Sequence, residues 1–448
     1  VSTFFKNEKN KSFNKKFSIL LNLYSKNQFE EVIKQGEAFL DDSNDRHLFF
    51  NIIGASYMGL ENFEKAQENY LKAVKIKPEF SDAFNNLGHL YNQGENYIKA
   101  IEFFKRSISI KEDDFQSHNN LANAYLKLNQ LEKAIFHYNR SLEINPNFAE
   151  SYNNLGNIER QLGNLEKAKT FFLKAIAIKP TLVDSYNNLG VIFHDLEDYV
   201  SAKKYLSRAL EIFPEYSDAY GNLGNIFSKQ KDFVSAINYY KKALSINPLF
   251  FHAYNNMGNA LKDLGKVKES IVSYKKAIDL NPKFPNAYDN LGNALYHDEK
   301  MIEAIRCFEK AIEIDPNYPE AYFNLSLLEL HNGYFKTGWN NFKWRWLSHN
   351  FDTPKIDLGL STYNLKNNYK NVYVSYEQGL GDQILFSRFF KDFNKNDITI
   401  YGHFNSKLID LMKDSFQHVI FLDKIKRNQI ESHIPIGDLP SLFIDNFS

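Results

Sequence analysis

The chain has 448 residues in which 54 Lys and Arg balance 54 Asp and Glu, so no net basic field holds a nucleic-acid backbone and nucleic acid is excluded as a partner. Cys307 is the only cysteine, which excludes an intrachain disulfide or a cysteine-rich zinc site and suits a reducing, cytoplasmic compartment. No apolar stretch approaches the roughly 20 residues that span a bilayer, although the chain opens on Val1 rather than Met, which leaves the lack of a signal peptide with little weight.

Residues 1–12 read as a polar N-terminal segment, and from Phe13 a period of 34 residues takes over. Units begin at 13, 47, 81, 115, 149, 183, 217, 251, 285 and 319, the tenth ending near Asn350. Pro78, Pro146, Pro180, Pro214, Pro248, Pro282 and Pro316 keep the beat, with Glu112 in one place; Gly54, Gly88, Gly156, Gly190, Gly224, Gly258 and Gly292 share another phase. Alanines (Ala66, Ala100, Ala134, Ala168, Ala202, Ala236, Ala304) follow twelve residues after the glycine phase, Ser270 substituting once. A repeat of this length is one small supersecondary unit stacked on its neighbours.

Each unit predicts two amphipathic helices. In 149–182, Tyr152, Leu155 and Ile158 mark the first, Leu162, Gly163 and Asn164 a turn, and Ala168, Phe171, Phe172, Ala175 and Ile176 the second, which Pro180 stops. A glycine within a helix costs about 0.5–1 kcal/mol relative to alanine, so seven at one phase imply close helix approach. The aromatics at Phe50, Phe84, Tyr152, Tyr186, Tyr220, Tyr254, Tyr288 and Tyr322 are expected to fill the space between layers.

Segments such as Tyr152-Asn-Asn-Leu-Gly156, with Ala168, Phe172 and Pro180, resemble the tetratricopeptide repeat over residues 13–350. The resemblance implies an α-solenoid of about ten helical hairpins wound as a right-handed superhelix that binds proteins. Glu112, His118, Ala122 and Ser270 depart from the pattern.

One asparagine per unit falls at a single helical position: Asn86, Asn120, Asn154, Asn188, Asn222, Asn256, Asn290 and Asn324. A second amide follows three residues on at Asn123, Asn157, Asn225, Asn259 and Asn293, on the same helix face. An amide offers one donor and one acceptor group and so matches a peptide bond whatever its side chain. The row fits an extended protein or peptide partner lying in a groove; the alternative is that the amides bond between neighbouring repeats. A similar ladder is a feature of protein O-linked N-acetylglucosamine transferases. His297 and His331, one repeat apart, are two metal ligands without a third, and no metal or cofactor is expected.

The repeat pattern degrades into Gly338-Trp-Asn-Asn-Phe-Lys-Trp-Arg-Trp346. Trp339, Phe342 and Trp346 fall at helical spacing, as a cap at 338–346 that docks the next domain requires; a sugar platform is the alternative. Residues 351–370 read as a linker and 371–448 as part of an α/β lobe with a parallel sheet: strands at 372–376, 398–401, 419–422 and 433–436, helices at 383–393 and 406–414. Glu377-Gln378-Gly379-Leu380-Gly381-Asp382 is a loop at the carboxyl end of the first strand, where α/β sheets place their ligands. It lacks the third glycine of a dinucleotide fingerprint. Asp382 at a helix N-terminus is either a base that takes a proton from an acceptor hydroxyl, with Gln378, Gly379 and Gly381 around the substrate, or an ordinary N-cap.

Gly338 to Trp346, the Glu377–Asp382 loop leading to Phe386-Ser-Arg388, and His433-Ile-Pro-Ile-Gly-Asp-Leu-Pro440 resemble bacterial repeat proteins whose C-terminal part is similar to the heptosyltransferase family. That resemblance implies the N-terminal, Rossmann-like lobe of a two-lobed (GT-B), metal-independent glycosyltransferase, with Asp382 as catalytic base. The donor-binding residues lie in that family's second lobe, so the piece ending at Ser448 is expected to be inactive alone and to use a nucleotide sugar only when complete. The competing expectation is a non-catalytic adaptor.

Overall fold

The computed structural model describes residues 2–40, 45–349, 351, 359–364, 367, 369–375, 380–393, 398–403, 408–422 and 430–443, with the side chains of 2–13, 380–382, 384, 403 and 443 outside that description. It comprises two compact units, Val1–Asn222 and Leu223–Ser448. Among the described residues from Ser2 to Phe342, twenty helices follow one another without a strand, the pattern of a helical solenoid.

In the N-terminal unit the first helix, Ser2–Ser25, takes in most of the polar stretch 1–12. Thereafter leading helices begin at Arg46, Ser81, Phe115, Ala149 and Val183, and their partners at Phe63, Tyr97, Leu131, Leu165 and Tyr199. A side chain caps the second helices that begin at Phe63, Tyr97 and Tyr199: Asn62 accepts from the Lys65 N–H (3.2 Å), Asn96 from the Lys99 N–H (3.2 Å) and Asp198 from the Ser201 N–H (3.0 Å). They stop where the next residue turns extended, as at Lys179 (φ −126°, ψ 87°) before Pro180. Lys111 adopts the same conformation (φ −134°, ψ 91°) before Glu112, so the stacked repeats impose this ending even where proline is missing.

The glycine phase has a sharper reason than helix approach alone. A methyl on Gly156 would sit 2.6 Å from the Phe172 ring, one on Gly88 2.5 Å from Phe104 and one on Gly190 2.5 Å from Leu206. The large side chain sixteen residues after each glycine, fully buried or nearly so, occupies the volume a Cβ would need. In the C-terminal unit Tyr240, Tyr274 and Phe308 stand over Gly224, Gly258 and Gly292 in the same way. The two serines that replace small residues are satisfied locally: Ser270 Oγ donates to Val267 O (2.7 Å) and Ser326 Oγ to Phe323 O (2.6 Å).

The C-terminal unit continues the hairpins to Phe335–Phe342, adds a 3-10 turn at Lys343–Leu347, and then forms a five-stranded sheet. Its strands are β1 (Ser361–Thr362), β2 (Asn371–Ser375), β3 (Thr399–His403), β4 (Val419–Phe421) and β5 (Ser432–Pro435), in the order β1-β5-β2-β3-β4. All four pairings are parallel. β1 lies inside the stretch that reads as linker. Val372, Val374, Ile400 and Ile434 build its core with Phe386, Phe390 and Phe393 from the helical segments Leu380–Ser387 and Phe390–Phe393. Trp339 packs edge-on against Phe386 (5.7 Å) and Phe342 (5.4 Å), joining the last hairpin to that core. Trp344 instead stacks on Tyr322 (4.3 Å).

Candidate functional site

The asparagine row lies on the leading helices, each member half-buried. In the N-terminal unit every one of them donates its Nδ2 to the preceding repeat: Asn86 to Asn51 (2.9 Å), Asn120 to Asn85 (3.2 Å), Asn154 to Asn119 and Asn123 (3.3 and 3.1 Å), Asn188 to Asn153 and Asn157 (3.3 and 3.0 Å), and Asn222 to Asn187 (2.9 Å). In the C-terminal unit Asn256 donates to Asn225 (3.0 Å), Asn290 to Asn255 (3.0 Å) and Asn324 to Asp289 (2.8 Å). Bonding between neighbouring repeats is therefore one occupation of these amides. Except at Asn256, which donates to Asn225, an acceptor is the residue just before the preceding repeat's ladder position, which sequence reading missed; the recurring Asn-Asn doublet was its signal.

The second row is held from within its own repeat. Asn225 and Asn259 accept from the hydroxyls of Tyr240 (2.8 Å) and Tyr274 (2.7 Å), and Asn123 accepts from Tyr138. Burial drives these phenols to pKa values well above the ordinary one, so they remain donors. What is left over differs along the row, because Asn154 and Asn188 commit both Nδ2 hydrogens whereas Asn86, Asn222, Asn290 and Asn324 commit one each. The Oδ1 atoms of Asn86, Asn154, Asn188, Asn222, Asn290 and Asn324 accept from no described group. In each unit the row thus presents open acceptors, beside which Asn86, Asn222, Asn290 and Asn324 each keep a second N–H, while the Oδ1 atoms of Asn120 and Asn256 accept from Asn119 and Asn255.

Two clefts open along this face. One, of about 340 Å³ in the N-terminal unit, is lined by Asn86, His89, Gln93, Tyr24 and Tyr70 among others. The other, of about 530 Å³ in the C-terminal unit, is lined by Lys262, Asn286, Asp289, Asn290, Tyr318, Glu320 and His349 among others. Asp289 is 5% exposed and stands where other repeats have asparagine. Burial, with Glu320 nearby, pushes its pKa up to about 6 against the pull of Asn324 and Lys262.

On the α/β side, Gln378 and Gly379 lie outside the described residues. Gly381 and Asp382 are in the first turn of the helix Leu380–Ser387, at the carboxyl end of β2, and the Asp382 side chain is outside the description. Within the sheet Ser375 Oγ lies 2.9 Å from His433 Nε2, both buried. Among the described residues no three His, Cys, Asp or Glu side chains could hold a metal ion. The histidines brought together are His118 and His137, whose Nδ1 atoms are 3.0 Å apart, rather than His297 and His331.

Five family models describing the tetratricopeptide repeat match the chain, at 54–94 and 258–298, 81–114, 115–148 and 285–318, 147–215 and 181–248, and 239–271 and 307–337. Together they cover 54–337 without a gap, and the chain belongs to the tetratricopeptide-repeat proteins. Similar solved structures include the APC/C hetero-tetramer Cut9-Hcn1 (15% identity, 71% of this chain and 84% of that one, TM-score 0.45) and yeast Tom70 (16%, 76% and 93%, 0.43). YrrB, described as a TPR protein with an unusual peptide-binding site, is 24% identical over 44% of this chain and 97% of its own, with a TM-score of 0.33. No curated protein sequence matches the chain. Among the described residues no helix is long and apolar enough to cross a membrane.

Proposed function

We propose that this protein holds an extended polypeptide along its asparagine face through the peptide backbone of the ligand. The carrying observation is the half-buried Oδ1 atoms of Asn86, Asn154, Asn188, Asn222, Asn290 and Asn324, which are fixed in place by the Nδ2 bonds behind them and accept from no described group. Fixed acceptors recurring at the repeat spacing suit peptide N–H groups and ignore side-chain identity. At about 0.5–1.5 kcal/mol for each net hydrogen bond, the open acceptors of Asn86, Asn154, Asn188 and Asn222 in the N-terminal unit supply roughly 2–6 kcal/mol. Ordering the ligand costs about 1–2 kcal/mol per residue, so such binding is weak and sequence-tolerant.

Backbone N-methylation of a test peptide separates this reading from side-chain recognition. Removing the N–H groups should weaken binding by at least about tenfold, while alanine replacements change it little. Equal affinity of the methylated and unmethylated peptides would remove the proposal.

A second reading concerns the sheet. An all-parallel sheet with a glycine-containing segment and a helix start after β2 supports part of a nucleotide-sugar transferase in which Asp382 takes the acceptor proton. In a protein carrying any second lobe, Asp382→Asn should abolish sugar transfer and leave peptide binding intact; unchanged transfer would leave the sheet as part of a non-catalytic adaptor.

A further inference from the structure

The cleft at Asp289 adds a chemical preference to that face. We infer that it receives a cationic side chain, an ammonium or guanidinium, from the bound polypeptide; this rests on the groove reading above. The wall holds a nearly fully buried carboxylate whose hydrogen-bond partners among the described residues are the neutral amides of Asn324 (2.8 Å to Oδ1) and Asn293 (3.4 Å to Oδ2). Asp289 makes no ion pair among the described residues, and Lys262, which also lines the cleft, acts on it only at longer range. Glu320 adds a second negative charge, with its Oε1 fixed by the His349 N–H (3.2 Å).

Buried carboxylates without an opposite charge are costly, and the repeat pattern offers a neutral residue for this position: Asn85, Asn119, Asn153, Asn187 and Asn255 stand there in other repeats. A ligand cation repays that cost where a neutral ligand does not. The remaining lining suits the same guest. Tyr318 brings a ring to the wall, its hydroxyl oxygen already accepting from Asn286 (3.3 Å), and Asn290 leaves its Oδ1 open. At about 530 Å³ the cleft has room for a long basic side chain with its flanking backbone.

The test uses two matched pairs of probes on the full chain. The first pair is an alanine-serine peptide with one central arginine and the same peptide with citrulline, the uncharged isostere. The second is N-acetyl-arginine amide and N-acetyl-citrulline amide, which have almost no backbone to lay along the ladder. Arginine should win over citrulline by about tenfold in both pairs, and Asp289→Asn should erase the difference without weakening the citrulline peptide. If both peptides bind equally well, the groove stands and the cation assignment is overturned. Should the arginine amide bind selectively while neither peptide gains from its backbone, the cleft stands and the groove reading falls. Binding of none of the four overturns both.

Discussion

Arg345 Nη1 lies 2.7 Å from Asp438 Oδ1, an ion pair between the turn after the last hairpin and the residues that follow β5. The guanidinium is fully buried, donates also to Phe342 O (3.1 Å), and sits 4.5 and 4.4 Å from the ring centroids of Phe342 and Trp346. Removing one member of a buried pair strands the other, at a cost of about 3–5 kcal/mol. Asp438→Asn should therefore lower stability by about 3 kcal/mol and expose residues 359–443 to protease before the repeats. Unchanged protease sensitivity would mean that Trp339 and Phe386 alone hold the sheet in place.

Gly156→Ala improves helix propensity by about 1 kcal/mol yet drives a methyl to 2.6 Å from the buried Phe172 ring. Overpacking of this kind costs about 1–3 kcal/mol, so the variant should be less stable than the parent, by chemical denaturation. Phe172→Leu in the same background should recover part of the loss; a more stable Gly156→Ala would show that the ring moves freely.

Glu197 has φ 60° in the turn between two helices, the position that Gly163 fills with φ 79° one repeat earlier. An L side chain in the left-handed region costs about 1–2 kcal/mol. Glu197→Gly should raise the unfolding free energy by about 0.5–1 kcal/mol, an uncommon sign for a change to glycine. A lower melting temperature would count against strain at this turn.

His137 is partly buried beside His118, with Lys105 also facing it, and its pKa is depressed to about 4 from the ordinary 6.5 by burial first and then by those charges. The unfolded chain takes up the proton first. Its stabilising contribution is thus complete above pH 6.5 and is lost as pH falls toward about 4. Because the ring is only partly buried, solvent screening reduces the effect to about 1–2 kcal/mol. Melting temperature of the parent should fall over this window and that of His137→Phe should fall less; parallel curves would remove the assignment.

Asp289 titrates with the opposite sign. Its folded pKa of about 6 exceeds the ordinary 3.8, with burial as the first cause, Glu320 also raising it, and Asn324 and Lys262 lowering it. The folded state holds the proton more tightly, so stability is fully present below about pH 4 and lost as pH rises through 6. Asp289→Asn should be more stable than the parent at pH 8 by about 1–3 kcal/mol, the gap closing toward pH 4. No gap at pH 8 would mean the carboxylate is paired.

The 34-residue period, the hairpins and the helix ends were legible because proline, glycine and alanine mark them locally. What occupied the glycine contact was not: Phe172 reads as one more apolar residue until the hairpin brings it over Gly156. The ladder positions were visible, but which groups of an amide are committed and which stay open depends on neighbours 31 or 35 residues away. Asp289 did not stand out in the sequence because burial is not written in residue type. β1 has two residues, too short for any alternation, and Arg345 and Asp438 are 93 positions apart. The likeness to heptosyltransferases rested on short motifs, whereas the family matches stop at 337.

Every ladder amide in the N-terminal unit reaches backward by one repeat, to the residue 35 positions earlier. Excising residues 153–186 would bring Asn188 to that same separation from Asn119, which is what Asn154 now bonds. The bonding scheme is therefore blind to how many cassettes the chain contains. Shortening or lengthening it in whole repeats changes the number of rungs while leaving each rung chemically the same, so the ladder is modular, with interchangeable divisions.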